Sequence, residues 1–322
     1  ISESMKGNKL TYISSEDDTK LNMTGKSLKY CVLLNTDGSV KSMKVSNGEW
    51  IAELSGNKKI TDLKSTDLKN GNLDNEECGP KKPKTFKEDS WDTIANAVRT
   101  GQTSNYHVGD EKEVDLGTYG KHNVRIANMS TPDECSQNGF SQSACGFVIE
   151  FTDIITTHNM NPKGEYKGKT YDYGWNLDGW PASQMKAFID NDIYNSLPNE
   201  LKSVIITTET VSGHGSGDTN NFTSSDNLYL LAPKEIYANW SNQYDTARDK
   251  TRQLDYYNSK GVTTNSYAAA IKKDSTKTAS NWWLRCAYSN NIGGFYAMGS
   301  IGTWGYNAAS NVNGVSPAFR IG

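Results

Sequence analysis

The feature that most constrains this chain is a run of residues without charge near its C-terminus. Between Arg285 and Arg320 there is no Asp, Glu, Lys, Arg or His, although 22% of the whole chain is charged. The motifs "WWLR" and "PAFR" enclose this charge-free run. Because large apolar residues favour strands that pack into a core, we predict two core strands that bracket the run. The predicted scaffold residues are Trp282, Trp283, Arg285, Phe319 and Arg320.

The charge-free run is too rich in glycine and asparagine to consist of packed strands alone. Six glycines and five asparagines lie between Cys286 and Gly314, and strand interiors tolerate few glycines. Tyr, Ser, Gly and Asn dominate antibody paratopes, where rings supply contact area at low entropy cost and small polar groups adapt their hydrogen bonds. Part of the run is therefore predicted to be a solvent-facing binding surface. A buried β-hairpin is the alternative.

The residues of the run also share a property of the genetic code. From Cys286 to Ser316 almost all are types with codons that end in a pyrimidine, and Lys, Glu and Gln are absent. Only Met298 and Trp304 depart from this pattern. Randomising the adenines of Asn codons would produce such a set, with the remaining asparagines marking unchanged adenines. Chance enrichment in a Gly- and Ser-rich loop is the competing explanation.

Length and charge limit the classes of function. A chain of 322 residues is predicted to form one large domain or two. A formal net charge of −3 provides no basic footprint, so nucleic acid is not an expected partner. The sequence contains no run of about 18 apolar residues, the length that would be needed to span a membrane. Because the sequence starts at Ile1 rather than Met, we expect that a signal or anchor segment has been removed.

The five cysteines and four histidines are scattered along the chain. No CxxC pair occurs, so we expect no zinc site, and we expect no other metal or cofactor. Cys135 and Cys145 flank a short polar loop that a disulfide could close, and Cys31 and Cys78 could close a longer one. Disulfides would favour an extracellular location. Reduced thiols throughout are the alternative.

Turn motifs and a segment rich in lysine and proline divide the chain. Residues 1–79 contain "KYCVLLNTDGSVKSMKVSNGEWIAEL", whose TDGS and SNGE turns predict a small antiparallel sheet. Residues 80–89 are predicted to be a linker. Residues 90–322 mix helices and short strands without βαβ regularity, which predicts the α+β class.

Two helices and several strands are predicted within residues 90–322. Ser90 as N-cap and Gly101 as C-cap predict one helix between them. Pro181 at a first helical position, followed by an apolar stripe, predicts a second helix that Pro198 ends. Strands are predicted over "KHNVRIANMS", "GFVIEFTDIITTHN", "SVIITTETV" and "DNLYLLAPKEIY", the last continuing into a helical turn.

Several motifs together resemble those of a known family. "NWWLRC" and "NGVSPAFRIG" resemble the C-terminal signature of bacterial surface domains that end in a WWLR…GVRPA pattern. "WPASQMKAFIDNDIYNSLPNELKSVI" and "DNLYLLAPKEIYANW" are similar to the helix and the LFLLS-x-E strand of that family. The resemblance covers residues 90 to 322 and implies a C-type-lectin-like fold related to the formylglycine-generating enzyme. Ser316 departs from the arginine usual in the family, which puts a buried ion pair there in doubt.

Several members of that family are variable proteins of diversity-generating retroelements, in which reverse transcription mutates adenines of Asn codons. The resemblance thus implies a receptor or adhesin whose hypervariable patch binds a protein or glycan on a host or microbial surface. The variable, ligand-binding residues that it implies are Ala287, Tyr288, Ser289, Asn290, Asn291, Ile292, Phe295, Ala297, Gly299, Ile301, Thr303, Gly305, Tyr306 and Asn307. Four further residues are either fixed scaffold or contacts: Tyr296, Met298, Ser300 and Trp304. Of these, Tyr296 and Trp304 are the candidates for fixed contacts.

Residues 1–79 resemble, more loosely, the globular part of pilin-like proteins from Gram-positive gut bacteria. The resemblance rests on "KYCVLLNTDGSV" and on Cys31 and Cys78. It implies that a hydrophobic N-terminal helix is missing from this sequence. Through that helix the protein would bind other pilin subunits. The full-length protein is then expected at the cell surface, either pilus-associated or membrane-anchored.

Three other functions compete with the receptor hypothesis. A formylglycine-generating-type enzyme needs a reactive pair of cysteines, whereas Cys286 stands alone, so no catalytic residue is assigned. A calcium-dependent sugar lectin needs carboxylate ligands, which the charge-free run lacks, although "DTNNFTSSDN" could hold a structural ion elsewhere. A plain structural pilin subunit fits residues 1–79 but leaves the charge-free run unexplained.

Overall fold

In the computed structural model of the chain, the described residues are 29–34, 40–46, 50–55, 68–70 and 82–322. They belong to two units, Ile1–Lys82 and Pro83–Gly322, which are the N-terminal unit and the C-terminal unit. Within the described residues, no helix has the length and apolar character needed to cross a bilayer. Helices and sheets occur together, which confirms the predicted α+β class.

The described part of the N-terminal unit is one antiparallel sheet. Its strands are β1 (Lys29–Leu34), β2 (Val40–Ser46), β3 (Trp50–Ser55) and β4 (Leu68–Asn70), in the order β1-β2-β3-β4. Val45, Ala52 and Leu54 form its small core. The strands agree with the predicted antiparallel sheet, while the TDGS turn and residues 47–49 of the SNGE turn lie outside the described residues.

The α-helices of the C-terminal unit are short: α1 (Trp91–Thr100), α2 (Gln184–Phe188), α3 (Tyr194–Ser196), α4 (Asn199–Lys202), α5 (Pro233–Ile236) and α6 (Asp255–Ser259). Helix α1 has both predicted caps. The Ser90 hydroxyl accepts the N–H of Thr93 at 3.3 Å, and Gly101 ends the helix with a φ of 69°. Glycine adopts this left-handed conformation without the steric cost that a side chain would add.

The second predicted helix is interrupted. Pro181 lies in a 3₁₀ turn over Trp180–Ala182, and Ser183 caps α2 by accepting the N–H of Lys186 at 3.1 Å. A π-helical turn over Ile189–Ile193 then joins α2 to α3. The predicted apolar stripe is largely buried through Met185, Ile189, Ile193 and Leu197. The hydrophobic period therefore located the buried face but not the change in helical type.

Two five-stranded sheets form the framework of the C-terminal unit. Its strands are β5 (Glu111–Asp115), β6 (Lys121–Asn128), β7 (Val148–Phe151), β8 (Thr156–His158), β9 (Gly164–Tyr166), β10 (Lys169–Tyr171), β11 (Ile205–Ile206), β12 (Thr208–Ser212), β13 (Phe222–Asp226), β14 (Trp282–Ala287), β15 (Gly294–Met298), β16 (Trp304–Ala308), β17 (Asn313–Val315) and β18 (Ala318–Ile321). One sheet is antiparallel, in the order β11-β18-β7-β6-β5. The other has the order β16-β15-β14-β17-β8, with β14 parallel to β17. Strands β9 and β10 form a small hairpin, as do β12 and β13.

The predicted strand in "DNLYLLAPKEIY" is reduced to a single bridge between Tyr229 and Ala318. Two other carbonyl groups of this buried segment bond to Arg285. The Leu231 carbonyl accepts the backbone N–H of Arg285 at 3.0 Å, and the Leu230 carbonyl accepts the Arg285 guanidinium at 2.9 Å. Because these contacts use the groups that a strand ladder would need, the strand prediction was wrong here. The helical turn that follows it is α5.

The cysteines of the C-terminal unit occur in two states. A disulfide joins Cys135 to Cys145, which is one of the two predicted pairings. Cys286 is a free, buried thiol. The second candidate pairing, between Cys31 and Cys78, lies outside the described residues because Cys78 is not among them.

Residues 83–89 were predicted to lie in the linker 80–89, but they pack into the C-terminal unit. Phe86 has no solvent exposure and meets the rings of Trp91 and Tyr106 at centroid distances of 6.0 and 6.1 Å. The Asp89 carboxylate accepts the Tyr106 hydroxyl at 2.7 Å and the Lys84 N–H at 2.8 Å. The Phe86 ring and the Asp89 carboxylate thus attach this lysine-rich segment to the C-terminal unit, although its composition predicts a linker.

The packing of Phe86 can be tested by substitution. Phe86→Ala is expected to lower the free energy of unfolding by about 3–5 kcal/mol, because it leaves a cavity among aromatic side chains. Lys87→Ala, at an exposed neighbouring position, is the control and should change this free energy by about 0.5 kcal/mol or less. Urea denaturation measures both values. Equal, small effects of the two substitutions would show that this segment is a linker and does not pack into the C-terminal unit.

Candidate ligand-binding surface

Strand β14, which carries the WWLR motif, is buried on both faces. Trp282, Trp283 and Cys286 have no solvent exposure. The Trp282 indole N–H donates to the Ala270 carbonyl at 3.2 Å, and the Trp283 indole N–H donates to the His158 carbonyl at 2.8 Å. Both tryptophans therefore lie in the core with their single donors satisfied. Phe319, also buried, lies on β18 in the other sheet, whereas Arg320 is partly exposed.

Arg285, on the same strand, forms a fully buried ion pair with Glu235 of α5. Its two terminal nitrogens donate to the two carboxylate oxygens, each at 2.6 Å. The guanidinium also donates to the Val211 carbonyl at 3.2 Å and to the Ser143 hydroxyl at 3.0 Å, while Thr251 donates to Glu235 at 2.8 Å. Paired, bidentate and fully hydrogen-bonded geometry is what allows such charges to be buried. The pair thereby fixes β14 to α5 and to two neighbouring segments.

A second buried charge cluster surrounds Ser316, the position where the sequence resemblance implied an arginine. Lys272 supplies the cation: its ammonium donates to Glu150 at 2.8 Å and to the Ser316 hydroxyl at 2.9 Å. Burial lowers the pKa of Lys272 to about 8. Burial alone would raise the pKa of Glu150, but attraction to Arg125 and Lys272 outweighs it, so this pKa is lowered. A lysine from another segment thus provides a buried ion pair at this position.

The exposed large apolar side chains concentrate in the charge-free run. Among the described residues, these side chains are Tyr173, Ile292, Ile301, Trp304, Tyr306 and Val312. Five of the six belong to the run, and we call these five the exposed set: Ile292, Ile301, Trp304, Tyr306 and Val312. Ile301 and Val312 are 62% and 63% exposed, and Tyr306 is 50% exposed. Concentrations of exposed apolar side chains are typical of interaction surfaces.

Buried rings support the two exposed rings of this set. Tyr306 stacks on Tyr288, with centroids 4.0 Å apart and planes at 4°. Trp304 meets Trp240 edge to face at 5.1 Å. Tyr288 and Trp240 both contact the buried ring of Tyr296, at 5.5 and 5.4 Å. The exposed rings are therefore held in place from below, which reduces the entropy cost of using them in binding.

A buried carboxyl group lies beneath these rings. The Trp240 indole N–H donates to Asp245 at 2.7 Å, and Asp245 is almost without exposure. Burial raises the pKa of this carboxyl group, and it also raises the pKa of the neighbouring Cys286 thiol well above its usual range. A reactive cysteine needs an accessible thiolate. The surroundings of Cys286 therefore resemble those of a structural thiol.

Five residues predicted to contact ligand are buried instead. Ala287, Phe295, Tyr296 and Ala297 are 3% exposed or less, and Tyr288 is 8% exposed. They lie on β14 and β15 or directly after β14, and β14 and β15 have a hydrogen-bonded strand on each side and cover on both faces. At most 8% of each of these residues is exposed, so they are not part of the exposed side-chain surface that the prediction described. Tyr288 acts instead as the support of Tyr306.

The other predicted contact residues are exposed or half-buried: Ser289, Asn290, Asn291, Ile292, Gly299, Ile301, Thr303, Trp304, Gly305, Tyr306 and Asn307. They occupy three adjoining segments of the chain. These are the loop between β14 and β15, the turn between β15 and β16, and β16 itself. The accessible part of the predicted surface thus lies along one edge of the sheet, on β16, and at the two loops at opposite ends of β15.

Asn176 holds the loop between β14 and β15 and was missed by sequence reasoning. Its side-chain amide donates to the carbonyls of Asn291 at 3.1 Å and of Gly294 at 2.7 Å. Its backbone N–H donates to the Ile292 carbonyl at 2.8 Å. A Cβ on Gly215 would lie 2.2 Å from the Asn176 side chain, so glycine is required there. Asn176 and Gly294 are 118 residues apart, and no local pattern signals such a contact.

The acidic segment considered for a structural ion is used internally in part. Asp226 is buried, and the Lys186 ammonium lies 2.6 Å from its carboxylate. Asp218 accepts the N–H of Asp178 at 3.0 Å. Across the part of the chain that the structure describes, no three His, Cys, Asp or Glu side chains come together in a way that could hold a metal ion.

Residues 152–322 match a family described as a domain of unknown function (DUF6273). Because the match spans more than half of the chain, the chain belongs to this family. The matched segment includes β14, the exposed set and both partners of the Arg285–Glu235 ion pair. No protein of curated function and no solved structure matches the chain significantly.

The role of the Arg285–Glu235 ion pair can be measured with a double-mutant cycle. Arg285→Met is expected to lower the free energy of unfolding by about 3–5 kcal/mol, because Glu235 stays buried without its cation. The double variant Arg285→Met/Glu235→Met should lose less than the sum of the two single variants. Arg248→Met removes an exposed pair with Asp249 and should cost about 1 kcal/mol or less. Additive effects at Arg285 and Glu235 would contradict the coupling.

Proposed function

We propose that the C-terminal unit is the ligand-binding domain of a surface-displayed receptor or adhesin with a C-type-lectin-like fold. Its ligand is a protein or glycan on a host or microbial surface. The observation that carries the proposal is the contrast between a central strand and the edge strand of one sheet. Strand β14 is wholly buried, whereas β16 and three neighbouring loops present the exposed set. Rigid aromatic residues on a neutral surface are typical of recognition sites.

The pattern of codon types supports diversification of this surface by adenine mutagenesis. The two residues outside the pyrimidine-ending pattern both make structural contacts. Met298 is buried and its sulfur accepts the Tyr237 hydroxyl at 3.3 Å, and Trp304 packs against Trp240. Trp304 is therefore the candidate for a fixed contact, while exposed positions such as Asn290 and Ile301 are candidates for variation. Exposed side chains can be exchanged at little cost to stability.

The N-terminal unit is proposed to display the binding domain as part of a pilin-like protein at the cell surface. This part of the proposal is supported by the sequence resemblance of residues 1–79 and by the antiparallel sheet of β1 to β4. Other pilin subunits are its candidate partners. The exposed set would then serve as the adhesive surface of the displayed chain.

Binding can be tested with a glycan array and with a yeast-displayed library of host and microbial surface ectodomains. Against any probe that binds the full chain, Trp304→Ala and Tyr306→Ala should each lower the affinity about tenfold or more. Truncation of an aromatic residue in a binding hot spot has an effect of at least this size. Surface plasmon resonance gives the dissociation constants.

Tyr173→Ala is the matched control, because Tyr173 is 69% exposed but lies outside the charge-free run. It should leave the affinity within about twofold, and all three variants should keep the wild-type unfolding transition within about 1 kcal/mol. The proposal fails if neither probe set contains a binder. It also fails if Tyr173→Ala weakens binding as much as the two substitutions on β16.

A further inference from the structure

Strand β16 ends the sheet that contains the charge-free run. Within the described residues it pairs with β15 on one side and has no strand on the other. Its sequence, "WGYNA", contains neither a charged residue nor a proline, and its register with β15 shows no bulge. Proteins usually protect sheet edges with such charges, prolines or bulges. This edge has none of them.

The hydrogen-bond register shows which backbone groups of β16 point outward. Thr303 and Ala309 flank β16 and bond to the two residues that flank β15. The Thr303 carbonyl accepts the Gly299 N–H at 2.7 Å, and the Ala309 N–H donates to the Gly293 carbonyl at 2.7 Å. Bonded and non-bonded residues alternate along an antiparallel pair. The odd-numbered residues of β16 therefore bond to β15. The N–H and C=O groups of Trp304 and Tyr306 point away from the sheet.

The outward backbone groups belong to the two residues whose rings are exposed on one face of β16. The other face carries a shallow depression of about 140 Å³, whose lining includes Ala297, Gly305 and Asn307. A Cβ built on Gly305 would meet no atom within 4 Å, so this side of the strand is open. An added strand would place alternate side chains over the rings and over the depression.

We propose that β16 binds an extended, neutral segment of a partner polypeptide as an additional strand of the sheet. The proposal rests on the receptor function above and specifies its ligand class as a peptide rather than a glycan. The N–H and C=O groups of Trp304 and Tyr306 pair with the backbone of this segment, as in other cases of strand addition. Apolar side chains of the segment cover the two rings, and a small side chain enters the depression.

Amide hydrogen exchange tests the proposal directly. The probe is a peptide selected against the full chain from a phage-displayed library of linear peptides. In the free protein the amides of Trp304 and Tyr306 should exchange rapidly, whereas those of Gly305 and Asn307, bonded to β15, should exchange slowly. The bound peptide should slow exchange at Trp304 and Tyr306 by at least about tenfold and leave Gly305 and Asn307 nearly unchanged.

A pair of substitutions at one position separates the ring from the backbone donor. Tyr306→Ala removes the ring alone, whereas Tyr306→Pro removes the ring and the outward N–H. Proline is tolerated at edge positions whose N–H faces away from the sheet. The proline variant should bind the selected peptide at least about tenfold more weakly than the alanine variant. If the proline variant fails to fold, the exchange measurement on the wild-type chain still decides the question.

Several results would overturn strand addition. They are a library without a binder, a bound peptide that leaves the Trp304 and Tyr306 amides unprotected, and equal affinities of folded Tyr306→Ala and Tyr306→Pro variants. Amide protection at Trp304 and Tyr306 that depends on protein concentration alone would show that a second copy of the chain occupies the edge. That result would also overturn the proposal. A glycan whose binding requires both rings, but which leaves the two amides unprotected, would overturn strand addition. It would leave the proposed receptor function intact.

Discussion

The buried ion pair between Arg285 and Glu235 is the interaction on which the candidate surface depends. Its bidentate contact, with both nitrogen–oxygen distances at 2.6 Å, attaches the central strand β14 to α5. The remaining guanidinium contacts reach Val211 and Ser143, so one side chain connects four segments of the chain. A fully paired buried charge is tolerated only in one geometry. This requirement fixes β14, and thereby β15 and β16, in position.

From this fixed strand, packing becomes less complete toward the edge of the sheet. Strands β14 and β15 are buried throughout, whereas β16 presents one side of its rings to solvent. Tyr288 and Trp240 support Tyr306 and Trp304, and Asn176 holds the adjoining loop. The exposed side chains other than Trp304 can thus change without loss of the contacts among the buried residues. This separation of support and contact is what a surface with exchangeable residues requires.

Much of this arrangement could be predicted where its cause is local. The caps of α1, the apolar stripe through Met185 and Ile193, and the buried tryptophans of β14 all follow from short sequence patterns. The burial of Phe295 and Ala297 could not be predicted, because other aromatic residues of the same run, Trp304 and Tyr306, are exposed and Ala308 is half-buried. Whether they are covered depends on the neighbouring strands and on distant side chains such as Trp240. Lys272, which provides the cation beside Ser316, likewise comes from another segment.

The central claim is that a fixed core strand supports a surface whose residues are free to change. Saturation mutagenesis of the displayed full chain, sorted for folded protein by resistance to protease, tests it most directly. Asn290, Ile301 and Tyr306 should accept most neutral residue types, whereas Ala287 and Phe295 should accept almost none beyond close apolar substitutes. Equal tolerance in the two groups, or greater tolerance at Ala287 and Phe295, would contradict the claim.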